Sequence, residues 1–336
     1  MTLLPGLVLS FIIALIAWQI GNLFPIIGSP VFGMLIGILM AFGKRPKILE
    51  KGIAYTTKKI LKIAIILLGF NLNLNYIWTV GKETLILMIF TLSATFITAY
   101  MVGKFLKIEK NTNILIGVGT AICGGSAIAA TAPIIDAADD EVAHSISTIF
   151  LFNIIGALIF PVLGHFFNMS DHFFGIWAGT AINDTSSVVA AGYSFSDSAG
   201  DLAVIVKLTR TLMIIPVTLV LALYKFRKDQ NTYNHLNELS GISLFRQLTK
   251  AFPVFVLGFL MTSLFNTFLG DYISYWPSIS KVFTFMGKFL IVMAMSAIGL
   301  NTHFHKLIKN GMKPILLGFA TWIVLALVSI SVQIVL

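Results

Sequence analysis

Residues Gly117–Ala132 read GVGTAICGGSAIAATA, and residues Gly179–Gly192 read GTAINDTSSVVAAG. Both contain Gly-Thr-Ala-Ile, at Gly119–Ile122 and Gly179–Ile182. Both then pass through small polar residues to a serine, Ser126 or Ser186, and both finish in small apolar residues. Long apolar segments flank each stretch. Backbone amides freed in a Gly-, Ser- and Thr-rich patch inside a membrane need partners, so such patches face protein or a wet cavity rather than lipid. The pair therefore reads as two broken helices that build a solute site near the middle of a membrane.

Composition supports the membrane setting. The 336 residues are 57% hydrophobic and only 11% charged, whereas soluble domains carry roughly 25% charged residues. Mean hydropathy is +0.92. A single cysteine, Cys123, excludes an intrachain disulfide and a thiolate metal cluster. The start of the chain lacks the charged segment and cleavage site of a secretory signal, so its first apolar run is expected to stay as a helix.

Spanning a bilayer takes roughly 20 mostly apolar residues. That template picks out Leu4–Leu23, Ile26–Phe42, Ile53–Leu72, Thr84–Val102, Asn113–Ile135, His144–Leu163, Phe173–Tyr193, Leu202–Tyr224, Ala251–Leu269, Phe283–Leu300 and Pro314–Leu336. The expectation is an all-α polytopic membrane protein of about 11 transmembrane helices, forming one domain over residues 1–336. Gly33 and Gly37 in the short second span point to close helix packing.

Orientation follows from the cations. Lys44, Arg45, Lys47, Lys51, Lys58 and Lys59 follow the second span, and Lys104, Lys107 and Lys110 follow the fourth. The long loop of about residues 225–250 follows the eighth and holds Lys225, Arg227, Lys228, Arg246 and Lys250. Lys306, Lys309 and Lys313 follow the tenth. The loops after the fifth and seventh are acidic instead, with Asp136, Asp139, Asp140 and Glu141, and with Asp197 and Asp201. The pattern places the N-terminus inside and the C-terminus outside. It also accounts for most of the net charge of +9 without a nucleic-acid partner.

A second echo pairs Leu68-Gly-Phe-Asn-Leu-Asn73 with Ile298-Gly-Leu-Asn-Thr-His303, at the ends of the third and tenth spans. Those spans run in opposite directions, as inverted repeats require. The Gly-Thr-Ala-Ile echo falls on spans that run the same way. A re-entrant hairpin, a permuted repeat and chance are the open explanations.

Polar residues at membrane depth are the candidate site. Lys207 and Arg210 lie three apart on the eighth span and share a face. Asp184 sits at comparable depth. One reading is a structural ion pair of Asp184 with Arg210 or Lys207. The other is an anion site, in which the guanidinium binds an oxyanion through a charge-assisted fork. The run Asn183-Asp-Thr-Ser-Ser187 and its counterpart Cys123-Gly-Gly-Ser126 expose backbone amides that favour negative charge. Released carbonyls with Asp184 could instead hold Na⁺ or a proton as coupling ion. Small-residue packing alone explains Gly and Ala but not Asn183, Asp184 and Arg210. Asn71 and Asn301 are weaker candidates for the same cavity. Lys62 reads as snorkelling, His303 and His305 as solvated, and Trp78, Trp177 and Trp276 as an interfacial belt. No catalytic, nucleotide or metal motif is present, so no enzyme activity and no cofactor are expected.

Cys123-Gly-Gly-Ser-Ala-Ile-Ala-Ala, Asn183-Asp-Thr-Ser-Ser-Val-Val-Ala-Ala-Gly and Val206-Lys-Leu-Thr-Arg-Thr-Leu resemble the YeiH-like sulfate exporter family. The resemblance covers nearly the whole chain. It implies a multi-pass protein of the bacterial inner membrane and a secondary transporter of a small anion, such as sulfate or an organosulfonate. Family members commonly carry His where this chain has Asn183, which argues against a proton relay there. A more distant similarity to the bile acid:sodium symporter superfamily implies inverted repeats with crossed broken helices. Under this reading Thr120, Cys123, Gly124, Gly125, Ser126, Asn183, Thr185, Ser186, Ser187, Lys207 and Arg210 bind the solute. Asp184, Asn71 and Asn301 orient or couple. A passive anion channel and a sodium- or proton-coupled carrier of an organic acid are the alternatives. The Gly-rich peripheral spans make a homodimer the candidate assembly.

Overall fold

In a computed structural model of the protein, the described residues are 3–25, 27–43, 45–229, 254–273, 275–302 and 311–335. Lys44, Arg246, Lys250, His303, His305, Lys306, Lys309 and most of the expected 225–250 loop lie outside them. Every regular element among the described residues is helical: α1 (Leu4–Leu23), α2 (Ser29–Ala41), α3 (Glu50–Tyr55), α4 (Leu61–Leu68), α5 (Leu74–Phe105), α6 (Lys110–Ala121), α7 (Gly125–Thr131), α8 (Asp139–Phe166), α9 (Asp171–Ala181), α10 (Thr185–Phe195), α11 (Asp197–Leu212), α12 (Ile214–Asp229), α13 (Val254–Tyr272), α14 (Trp276–Leu300) and α15 (Met312–Val335). A π turn, Thr56–Ile60, joins α3 to α4. Polar caps set several starts. Asn73, Ser170, Asp184 and Ser196 each accept a backbone N–H in the first turn of α5, α9, α10 and α11.

Among the described residues, six segments are long and apolar enough to cross a membrane: Leu4–Leu23, Leu74–Phe105, Asp139–Phe166, Asp197–Ala222, Trp276–Leu300 and Met312–Val335. Ser29–Ala41 and Val254–Gly270 are shorter apolar helices. The chain is a multi-helix membrane protein, and among the described residues two of the eleven expected spans, Asn113–Ile135 and Phe173–Tyr193, are broken rather than straight.

Two of the eleven expected spans double back. Asn111, at the start of α6, donates to Glu141, at the start of α8, over 3.1 Å. The chain between them therefore enters through α6, turns at Ile122–Gly124 and returns through α7 to the face it left. Ile128 of α7 packs beside Gly119 of α6, as an antiparallel hairpin requires. The second hairpin closes in the same way. Phe174, near the start of α9, stacks on Phe195, at the end of α10, with ring centroids 4.0 Å apart. His165, at the end of α8, stacks on the same Phe195 at 4.3 Å. α8 thus runs from the open end of one hairpin to the open end of the other, and the two hairpins enter from opposite faces.

This changes the loop assignment. Asp136, Asp139, Asp140 and Glu141 lie at the same end of the helices as Lys104, Lys107 and Lys110, not at the opposite end as expected. We call this the lysine-rich face. It also holds the start of α3 and the end of α14, where Arg45 donates to the Leu300 carbonyl. The starts of α9, α11 and α14 lie at the opposite face.

The helices sort into two bundles. α1–α4, α13 and α14 pack chiefly on one another, and α5–α12 pack with α15. Within the first bundle α2 and α14 touch backbone to backbone, because Gly37 faces Ser296 and Gly299 faces Met34. This is the close packing that the glycines of the second span predict. The aromatic belt needs correction. Trp78 is exposed, but Trp177 is 3% exposed and donates to the Ala326 carbonyl inside the second bundle. Trp276 is also buried, and its indole N–H donates to Asn266.

Candidate functional site

The hairpin tips meet at mid-depth. A Cβ on Gly124 would lie 3.7 Å from the Asp184 Cβ, and Asn153 of α8 reaches both tips. Asn153 accepts from the Asp184 backbone N–H at 3.1 Å. Gly124 turns the first tip with φ 71° and ψ −129°, a conformation closed to side chains with a Cβ. Gly124→Ala is expected to cost about 1–3 kcal/mol from that backbone strain, visible as a lower melting temperature of the purified protein.

Lys207 and Arg210 staple the tips. Both are 0% exposed. Arg210 donates from Nε to the Ala121 carbonyl at 2.7 Å and from Nη2 to Thr120 at 2.8 Å. Its Nη1 reaches across to the Thr180 carbonyl of the other hairpin. Lys207 Nζ donates to Ile122 at 2.8 Å and to Ile182 at 3.0 Å. These carbonyls end α6 and α9. The last carbonyls of a helix lack intrahelical partners and sit at its negative pole, so buried cations are fitting caps. The guanidinium fork expected to take an anion is therefore turned to peptide oxygens. The expected ion pair with Asp184 is not formed either. Asp184 instead caps α10, accepting from Ser186 N at 2.9 Å and from the Ser186 hydroxyl.

A cavity of about 1010 Å³ reaches the tips from the lysine-rich face, between the two bundles. Its deep end holds Cys123 and Ser126 of the first tip, Thr185 of the second, and Thr211 of α11. Tyr55, Lys59 and Lys62 line the opposing wall, with Phe255 and Met261 of α13. The Lys62 ammonium lies 5.8 Å from the Phe255 ring centroid. Ser126 is exposed to this space and Cys123 is nearly buried behind it.

Of the residues expected to bind solute, Cys123, Ser126 and Thr185 line the cavity. Gly124 and Gly125 shape the turn beside them. Thr120 faces Thr321 of α15 instead, with the hydroxyls 3.3 Å apart. Ser186 and Ser187 are buried. Asn183 is 1% exposed, and neither of its amide atoms finds a hydrogen-bond partner. Asn71 and Asn301 do not share a cavity. Phe70, next to Asn71, stacks on Phe283 near the start of α14, whereas Asn301 caps its end. The stretch of α14 from Phe283 to its cap Asn301 spans about 27 Å at 1.5 Å per residue.

Lys59, expected in the cationic loop after the second span, and Lys62, expected to snorkel, both line the cavity. They lie three apart, Lys59 in the π turn and Lys62 in the first turn of the apolar α4. Turns of the π kind are frequent at functional sites. Among the described residues no cluster of His, Cys, Asp and Glu could hold a metal ion.

Comparison with known proteins agrees with the motifs. The family model described as conserved hypothetical protein 698 matches residues 5–318. A UPF0324 membrane protein of Streptococcus agalactiae is 48% identical over 336 residues, covering 98% of this chain and 96% of the relative. A UPF0324 membrane protein of Streptococcus mutans is 48% identical over 335 residues with the same coverage. One from Fusobacterium nucleatum is 46% identical over 346 residues. Matches of this extent span the segments that form both hairpins and the helices that wall the cavity. The chain accordingly belongs to the family of conserved hypothetical protein 698, the YeiH-like membrane proteins.

Proposed function

We propose that the protein is a secondary transporter of a small anion, working by alternating access in a bacterial inner membrane. The observation that carries this reading is the pair of opposed hairpins whose tips end one cavity lined by lysines. Hairpins of this kind bring backbone polar groups to mid-membrane only where protein or water surrounds them. Lys59 and Lys62 raise the local concentration of anions in a narrow cleft. Ser126, Thr185 and Thr211 offer hydroxyls at its end. Sulfate and organosulfonates are the solutes the family resemblance suggests. The positive-inside rule makes the lysine-rich face cytoplasmic, so the cavity represents an inward-facing state.

The two echoes also fit one scheme. α4, α5, the first hairpin and α8 would form one repeat. α14 and α15, with the second hairpin and α11, would form its inverted and permuted copy. Both echoes then fall at matching positions on oppositely directed elements. Among the described residues, the six long helical segments, the shorter α2 and α13, and the continuous α3–α4 segment would make nine crossings. With two re-entrant hairpins this gives an N-terminus inside and a C-terminus outside, because removing two crossings leaves the parity unchanged.

The test is exchange of labelled sulfate and small organosulfonates in proteoliposomes. Lys59→Gln with Lys62→Gln is expected to raise KM about tenfold, as electrostatic focusing in clefts allows. Ser126→Ala with Thr185→Ala is expected to lower kcat/KM by a similar factor through two lost hydrogen bonds. Unchanged exchange in both double variants overturns the reading. Counter-exchange that saturates supports a carrier, and large uncoupled currents would mark a channel instead.

A further inference from the structure

Away from the cavity, toward the opposite face, polar side chains bridge the two bundles. Asn71, after α4, donates to Asp201 Oδ2 of α11 at 2.6 Å. The Tyr193 hydroxyl of α10 donates to the other oxygen, Oδ1. Lys288 of α14 lies 2.7 Å from Asp197 Oδ1. The same ammonium sits 5.7 Å from the Tyr193 ring centroid. Asn71 and Lys288 belong to the first bundle; Tyr193, Asp197 and Asp201 belong to the second. The same bundles stand apart around the cavity at the lysine-rich face. One pair of rigid bodies is thus latched toward one face and open at the other.

We infer that the Asn71–Asp201–Tyr193 cluster, with Lys288 and Asp197, is the outer gate of the transporter, which must part when the inner cavity closes. This rests on the alternating-access reading above. Packed bundles are bistable rather than continuously deformable, so a few contacts at one end can set the balance between two arrangements. Asp201 is the centre of the latch. Both its oxygens are occupied, one by each bundle. Asp197 has a side chain that is 71% exposed, so its pair with Lys288 contributes less than a buried one would. Breaking the Asp201 contacts removes interactions made in the inward-facing state and shifts the population away from it.

A conformational readout tests the gate without a solute. A thiol placed by Ser126→Cys in a Cys123→Ala chain reports access to the inner cavity. Inside-out membrane vesicles carrying the full-length protein are treated with a membrane-impermeant maleimide. In the unlatched variants Asp201→Ala and Asn71→Leu, labelling is expected to slow about fivefold or more, in proportion to the lost inward-facing population. A monodisperse gel-filtration peak identifies the variants that fold. Rates within about twofold of the parent in both, a negligible population shift on this scale, overturn the gate and leave the transporter reading standing. A reporter that is unreactive in the latched parent removes the inward-facing cavity, and with it both the transporter reading and the gate.

Discussion

Replacing Arg210 by methionine is expected to remove most of the folded protein from the membrane. Three carbonyls, of Thr120, Ala121 and Thr180, would lose their donor together. A buried acceptor left without a partner costs roughly 1–3 kcal/mol, and removing one side of a buried charged network typically costs about 3–5 kcal/mol. Whole domains are stable by only about 5–15 kcal/mol. The carbonyls also end two half-helices, so their negative poles would face each other without the intervening charge. Arg210→Lys keeps the charge but not the fork that spans two hairpins, and should fall between parent and Arg210→Met. Fluorescence-detected gel filtration and a melting curve in detergent measure the effect. A monodisperse Arg210→Met peak at parental level, melting within about 2 °C of the parent, would mean a cost under about 1 kcal/mol and would overturn the stapling role.

Lys207→Met should be the second most damaging change, at about 2–4 kcal/mol for two orphaned carbonyls. Ile122 and Ile182 sit at the two tips, and Lys207 Nζ is the atom that joins them. Because Arg210 holds the same two hairpins, the double variant should lose less than the sum of the single ones. If the two cations were solute ligands instead, both single variants would fold like the parent and fail only in sulfate exchange. Melting temperature and exchange rate, measured on the same preparations, separate these outcomes.

The features legible in the sequence were those set by local chemistry. Gly-Thr-Ala-Ile followed by polar residues announced both breaks, since no continuous lipid-facing helix tolerates Asn183-Asp184-Thr185 at that depth. Gly33 and Gly37 announced a close helix contact. Ser126 and Thr185 were identified as candidates, and both line the cavity. Lys207 and Arg210 stood out because a charge on an apolar helix must find a partner. The identity of that partner was not legible. Asp184 and a bound anion are the two partners the sequence offers, but each helix end also supplies about four unpaired carbonyls, and their location depends on how the chain turns.

Sequence by itself settled that this is a helical membrane protein with two interruptions, because hydropathy and backbone hydrogen bonding are local requirements that lipid enforces residue by residue. Only the tertiary structure decided whether each interrupted segment crosses or returns. A helix–turn–helix of small residues has the same hydropathy either way, and the choice is made by contacts far apart in the chain, such as Asn111 with Glu141 and Phe174 with Phe195. Those same contacts turned α8 over and moved an acidic loop to the lysine-rich face, and the packing of the first bundle against the second placed Lys59 and Lys62 opposite the hairpin tips. Each is a consequence of packing between bundles, for which no single segment carries a signal.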